Sequence, residues 1–290
     1  MFSGMISGLH SAVVKLRDFE VGVRDYTRLL GQAPHRIESD VRRGTRSVLF
    51  ALANMTLELR SGLEGAVVPE GAKSGDERFG QVGIRLVCED DDPSALLAAR
   101  GVRIASSTDE EGVSEGALSI RRWRSHRIDA RSSRGLPVEL ICGEVFEPDA
   151  TGGTAGSAVE PAARIRALDH VVVMSPDPVA TRAFYGDGLG IRLALDRSFE
   201  ERGVRLLFFR VGGTTIEIGG RLGSEARPDR SDRLGGLAWQ VVEIDAIRAR
   251  LVGEGFDVSK IREGNKPGTR VCTVRDPVHE VPTLLIEPPS

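Results

Sequence analysis

The sequence predicts an α+β protein of four repeated βαβββ modules arranged as two curved, mixed sheets. Three observations predict it. Loop-like stretches cut the chain into four segments of similar length, segments one and three repeat the same residues, and each segment reads as strand, helix, then further strands.

Module one is placed at 6–62. GLHSAVVKL opens it as a β-branched strand, VGVRDYTRLL reads as an amphipathic helix closed by Gly31, and RSVLFAL and MTLEL read as strands. A turn-rich stretch at 61–79 follows, and module two is placed at 79–143, from QVGIRLVCEDDDPSALLAARGV to the strand-like LPVELI. GEVFEPDATGGTAGSAVEPAA (144–164) has no apolar period and is rich in Gly, Ala, Pro and acidic residues, so a linker is expected at 146–164. Two domains are thus expected, 1–145 and 165–290. Module three (165–220) starts LDHVVVMSP, runs through the helical PVATRAFYGDGL to Gly190, and ends in RLLFFRV and TTIEI. After the loop-like 220–235, module four (234–288) runs from GLAWQVVEIDAIRARLVGEGFDV to PTLLIEP.

The repeat is residue by residue. His10 matches His170, Tyr26 matches Tyr185, Gly31 matches Gly190 and Glu58 matches Glu217, at offsets of 160, 159, 159 and 159.

Composition narrows the function. A net charge of -3 gives no basic field for nucleic acid and no polybasic stretch for a membrane. Nearly all positive charge is arginine, the lysines being Lys15, Lys73, Lys260 and Lys266. No segment has the length of a membrane span, and MFSGMISGLH lacks a basic region followed by an apolar stretch, so no signal peptide is expected. Cys88, Cys142 and Cys272 form no CxxC and no disulfide framework, and read as reduced thiols of a cytoplasmic protein. The expected partner is a small-molecule substrate, with a second copy of the chain as the only protein partner considered. GDGLG closes a helix and does not open one. P-loop, GxSxG and HExxH motifs are absent, which leaves Rossmann and hydrolase readings little support.

Strand alternation decides which side chains share a face. His170 shares a face with Leu168, Val172 and Met174. Glu217 opposes Ile216 and Ile218, Glu58 opposes Leu57 and Leu59, and Glu139 opposes Val138 and Leu140. In QVGIRL, Gln81, Gly83 and Arg85 oppose Val82, Ile84 and Leu86. A lone Glu on such a face is ordinarily solvated, and a lone His in an apolar strand is ordinarily core. Recurrence at the same module position favours ligands instead. A mixed N/O set suits one divalent ion, Zn, Ni, Co, Mn or Fe.

The LDHVVV start, the FYxxxLG helix end, the terminal VELI and the four modules resemble the vicinal-oxygen-chelate superfamily. That superfamily holds glyoxalase I, methylmalonyl-CoA epimerase, extradiol dioxygenases and bleomycin-resistance proteins. The resemblance implies a glyoxalase-like fold, with metal ligands in the first and last strands of paired modules: His10 and Glu58, Gln81 and Glu139, His170 and Glu217. Module four offers Gly236 and Thr283 at those places and supplies no ligand pair. The modules pair either 1 with 2 and 3 with 4, which chain order favours, or 2 with 3 across the linker.

A carboxylate-rich site with one imidazole suits a Lewis-acid metal plus a general base, Glu58 or Glu139, acting at a carbon next to a carbonyl as a lyase, isomerase or epimerase. Two further readings stand beside it. One is an extradiol-type dioxygenase, which needs two imidazoles in one cleft. The other is a non-enzymatic binding protein with a C-terminal cleft bordered by Phe208, Phe209, Trp239 and Arg210, with EGNKPGTRVCTVRD (263–276) either closing over it or standing as a solvated hairpin.

Overall fold

The computed structural model describes residues 5–40, 44–62, 82–113, 120–143, 159–223, 230–278 and 281–289. Gln81, His279 and most of the linker lie outside them.

Module one is β1 (Ile6–Lys15), α1 (Phe19–Leu30), β2 (Arg36–Asp40), β3 (Thr45–Ala51) and β4 (Thr56–Gly62). Module two is β5 (Val82–Cys88), α2 (Ser94–Ala99), β6 (Ile104–Val113), β7 (Ile120–Ile128) and β8 (Val138–Gly143). Module three is β9 (Ile165–Met174), α3 (Pro178–Arg182), β10 (Arg192–Phe199), β11 (Val204–Val211) and β12 (Thr214–Arg221). Module four is β13 (Arg233–Val241), α4 (Ile244–Gly253), β14 (Arg262–Glu263), β15 (Arg270–Val278) and β16 (Val281–Glu287).

Two eight-stranded mixed sheets result, in the orders β2-β3-β4-β1-β5-β8-β7-β6 and β10-β11-β12-β9-β13-β16-β15-β14. Each sheet draws its strands from two successive modules, and the second repeats the order of the first. The four βαβββ modules and the curved mixed sheets expected from the sequence are therefore present.

Local chemistry explains the elements. In α1, Asp18 caps the first turn by accepting from Val21 N at 3.0 Å, and Gly31 ends the helix at φ 74, its N–H donating to Thr27 O. The module-three helix begins the same way, with Asp177 accepting from Ala180 N and Pro178 in the first turn. It does not run on as a regular helix to Gly190. Residues Ala183–Gly188 form a wider π turn, where Gly186 and Gly188 weaken the α-helical preference.

By packing, the chain divides into two compact units. The first comprises Met1–Ser11, Gly83–Glu147 and His170–Gly235. Inside it, Arg134, at φ 56, reaches Asp232 Oδ1 at 3.3 Å, and Thr181 Oγ1 donates to Asp232 Oδ2 at 2.7 Å. Asp232 is 4% exposed, and burial raises its carboxyl above the ordinary aspartate range. Arg100, at the end of α2, donates to Gly188 O.

The second unit comprises Ala12–Val82, Pro148–Asp169 and Gly236–Ser290. There Arg250 of α4 donates to the carbonyls of Arg28, Leu29 and Ala163. It satisfies carbonyls at the C-terminus of α1, where the helix dipole also favours a cation.

Candidate functional site

The His–Glu pair of module three sits on the central parallel strands of the second sheet. β12 runs parallel to β9, with Thr215 beside His170 and Glu217 beside Val172. Val171, Val173, Ile216 and Ile218 are buried in the core, which turns His170 and Glu217 onto the opposite face. Their side chains bridge the two-residue offset: His170 Nε2 lies 3.6 Å from Glu217 Oε2, with 14% and 18% of the side chains exposed.

The next strand extends this face. Phe208 pairs with Glu217 and Arg210 pairs with Thr215, so Arg210, Thr215 and His170 form one cross-strand row. Arg210 is exposed and donates to Thr215 Oγ1 at 2.8 Å. Phe209 and Trp239, expected at a cleft border, are fully buried, because alternation turns both into the core. Phe208 and Arg210 alone of the four stand on the His170 face.

The module-one pair has different surroundings. His10 Nδ1 lies 3.1 Å from Ser11 Oγ. Glu58 is only 3% exposed, and its Oε1 accepts from Ser47 Oγ at 2.7 Å and from Arg60 Nε at 2.8 Å. Its face is thus closed over, not solvated. In module two, Glu139 stands beside Arg85 in the β5–β8 register and accepts from its Nε at 2.9 Å.

The His170–Glu217 offset can be carried to the other modules. In module two, two residues before the partner of Glu139 is Gly83. In module four, Leu237 pairs with Thr283 and Ala238 with Leu284. Thr283 is 2% exposed and donates to Val281 O. It stands on the packed face like Val138, so the residue at the place of Glu139 is Leu284 and not Thr283. Pro137 and Pro282, each just before its strand core, carry the signal that gives this register. Two residues before Ala238 is Gly236, the expected place of the missing His. Gly236 has φ 149, and a Cβ there would lie 2.6 Å from Pro282 O, so no side chain fits. Ala238 and Leu284 instead join Val271 and Ile286 in an apolar cluster.

One imidazole and one carboxylate at this separation fit two positions in the shell of a borderline or hard divalent ion. Among the described residues, no three His, Cys, Asp or Glu side chains gather as a metal set. His35 is held by Leu49 O, and His126 by Ser107 Oγ.

Known proteins resemble the chain in the same region and over the same fold. Residues 169–273 match the Glyoxalase/Bleomycin resistance protein/Dioxygenase superfamily. A stretch of 88 residues, 29% of the chain, is 31% identical to the mitochondrial methylmalonyl-CoA epimerase of Bos taurus and covers 50% of it. The chain thus spans about half the length of the curated relatives it matches. A 4-hydroxymandelate synthase variant from Streptomyces coelicolor superposes with a TM-score of 0.67 at 15% identity, over 97% of this chain and 92% of that one. The Mn(II)-bound glyoxalase from Novosphingobium aromaticivorans superposes with a TM-score of 0.64 at 15% identity, over 98% and 83%. At such identity these two likenesses speak for the fold. The sequence match to the Glyoxalase/Bleomycin resistance protein/Dioxygenase superfamily covers residues 169–273, the stretch that holds both His170 and Glu217.

Proposed function

We propose that the chain is a metal-dependent enzyme of glyoxalase type that moves a proton at a carbon next to a carbonyl, in the isomerase or epimerase class. The observation that carries the reading is the approach of His170 Nε2 to Glu217 Oε2 on neighbouring parallel strands. The relatedness to a methylmalonyl-CoA epimerase supports the reaction class.

In this reading His170 and Glu217 would hold a divalent ion, Zn, Ni, Co, Mn or Fe. Bound there, the ion supplies Lewis-acid polarisation of a carbonyl and so stabilises enolate charge. Arg210, exposed on the same row, holds an anionic group of the substrate away from the reacting carbon. Phe208, beside Glu217, gives the substrate an apolar wall and keeps water off the pair. The proton-accepting carboxylate is Glu139, whose side chain is 26% exposed. Glu58, buried with Ser47 and Arg60, serves chiefly to hold β3 against β4 in this reading.

The test is proton exchange. The metal-loaded protein, given an α-branched acyl thioester in deuterated water under nitrogen, exchanges the α-proton, and His170→Ala abolishes that exchange. Retention of full exchange in His170→Ala overturns the reading.

A second reading is a binding protein. It is favoured by the replacement in module four of the Arg85–Glu139 pair by Ala238 and Leu284, which leaves that strand pair apolar. High affinity for an aromatic ligand without turnover, unchanged by chelators, supports it over the enzyme.

A further inference from the structure

Cys88 and Cys142 face each other in register on the parallel strands β5 and β8. Both belong to the packed side of the sheet. The residues two and four before them, Leu86 and Ile84 on one strand and Leu140 and Val138 on the other, are all buried. Strand alternation therefore sends both thiols the same way. In-register neighbours on adjacent strands lie roughly 4.8 Å apart, within the span of about 4.4–6.8 Å that a disulfide bridges between Cα atoms.

Both thiols are free in this structure. Cys88 ends β5, is 3% exposed, and donates to Asp90 O at 3.4 Å, with exposed Glu89 and Asp90 following it. We propose that Cys88 and Cys142 form an oxidisable dithiol that closes to a cross-strand disulfide when the protein meets a peroxide.

The two sulfurs are unequal. The Cys142 S–H donates to the Cys88 sulfur, which draws the Cys88 thiol below its ordinary value and raises Cys142. Cys88 is therefore the first nucleophile. Its thiolate attacks one peroxide oxygen and breaks the O–O bond. This forms a Cys88 sulfenic acid and releases the other oxygen, which takes up a proton and leaves as water. Cys142 then attacks the Cys88 sulfur, the S–O bond breaks, and a second water leaves with the remaining proton. Two thiols are oxidised and one peroxide is reduced. Cys272 provides an internal control. It pairs with Leu285 across β15 and β16, and burial pushes its thiol up to about 11, so it stays protonated and unreactive.

The experiment is thiol mapping of the full chain. Reduced protein is titrated with hydrogen peroxide, blocked with a maleimide and digested without reductant. The expected result is one linked peptide pair joining Cys88 to Cys142, a protein mass lower by two hydrogens, and alkylatable thiols falling from three to one, at Cys272. Dithiothreitol restores all three. In Cys142→Ala no linked pair forms, and Cys88 stops at the sulfenic or sulfinic acid. Three alkylatable thiols after excess peroxide, oxidation of Cys272 before Cys88, or a link between two chains overturns the proposal. The wild-type map alone decides the matter if the variant does not fold.

Discussion

Arg85 stands directly beside Glu139 in the β5–β8 register and donates from Nε to Oε2 at 2.9 Å, whereas the matching pair in module four is Ala238 beside Leu284. Two modules with one backbone plan thus carry opposite chemistry at one point. In module two a charge pair faces outward, and in module four an apolar pair joins a small cluster.

That contrast, set beside Glu58, predicts two different carboxylates. The Arg85–Glu139 pair is partly wet, with side chains 15% and 26% exposed. Glu139→Gln is expected to cost under about 1 kcal/mol of stability, yet to lower turnover at least tenfold if Glu139 accepts the proton. Glu58 is 4% exposed at its side chain and holds Ser47 and Arg60. Glu58→Gln strands a half-buried guanidinium and is expected to cost about 2 to 3 kcal/mol. Urea unfolding of both variants, with kcat alongside, checks the pair. Equal stability losses would mean that burial does not separate them.

Gly236 is expected to resist every substitution. At φ 149, with Pro282 O 2.6 Å from where a Cβ would stand, Gly236→Ala must shift the start of β16. The expected loss is roughly 2 kcal/mol or more. Gly236→His, which would restore the missing imidazole on paper, is expected to destabilise further and gain no metal affinity. Thermal unfolding with and without divalent ions measures both effects, and a stable Gly236→His variant that binds metal more tightly refutes the argument.

A pH effect is expected from His126. It is 1% exposed, its Nε2 has no partner among the described residues, and burial lowers its pKa below the ordinary histidine value. The unfolded chain therefore binds a proton that the folded chain refuses. Between the lowered folded value and about 6.5, stability rises with pH, and it falls as the solution is acidified through that window. His126→Phe is expected to remove this component, so the stability difference between pH 7.5 and pH 5 should shrink. An unchanged difference means that the fold leaves the protonation of this imidazole as it is in the unfolded chain.

How far the sequence reached follows from what a single chain encodes locally. His170 and Glu217 were legible because each lies in a strand whose alternation is written in Val and Ile neighbours, and because the pattern repeats at His10 and Glu58. The C-terminal end of α1 was legible because Gly31 acts within one turn, whereas the cap at Asp18 came from the structure. What required the structure was cross-strand register. Arg85 gains meaning only beside Glu139, and Thr283 is told from Leu284 only by which neighbour each meets on β13. The π turn at Ala183–Gly188 is likewise a compromise between two glycines and the packing of Phe184 and Tyr185, which no helical period displays.

The last prediction concerns what His170 and Glu217 do together. If they hold a divalent ion, removing either takes away half of a two-residue ligand set. Thermal shift with Zn, Ni, Co, Mn and Fe(II) under nitrogen should then raise the midpoint of the wild type and leave His170→Ala and Glu217→Gln unmoved. The same two variants should lose α-proton exchange, while Arg210→Gln should keep metal binding and raise KM for an anionic thioester about tenfold, by losing one charge-assisted contact. Oxygen consumption with a catechol, lost on chelating iron, would turn the assignment to ring cleavage. That outcome is disfavoured because an Fe(II) oxygenase takes two imidazoles and one carboxylate, whereas His170 and Glu217 bring together one of each.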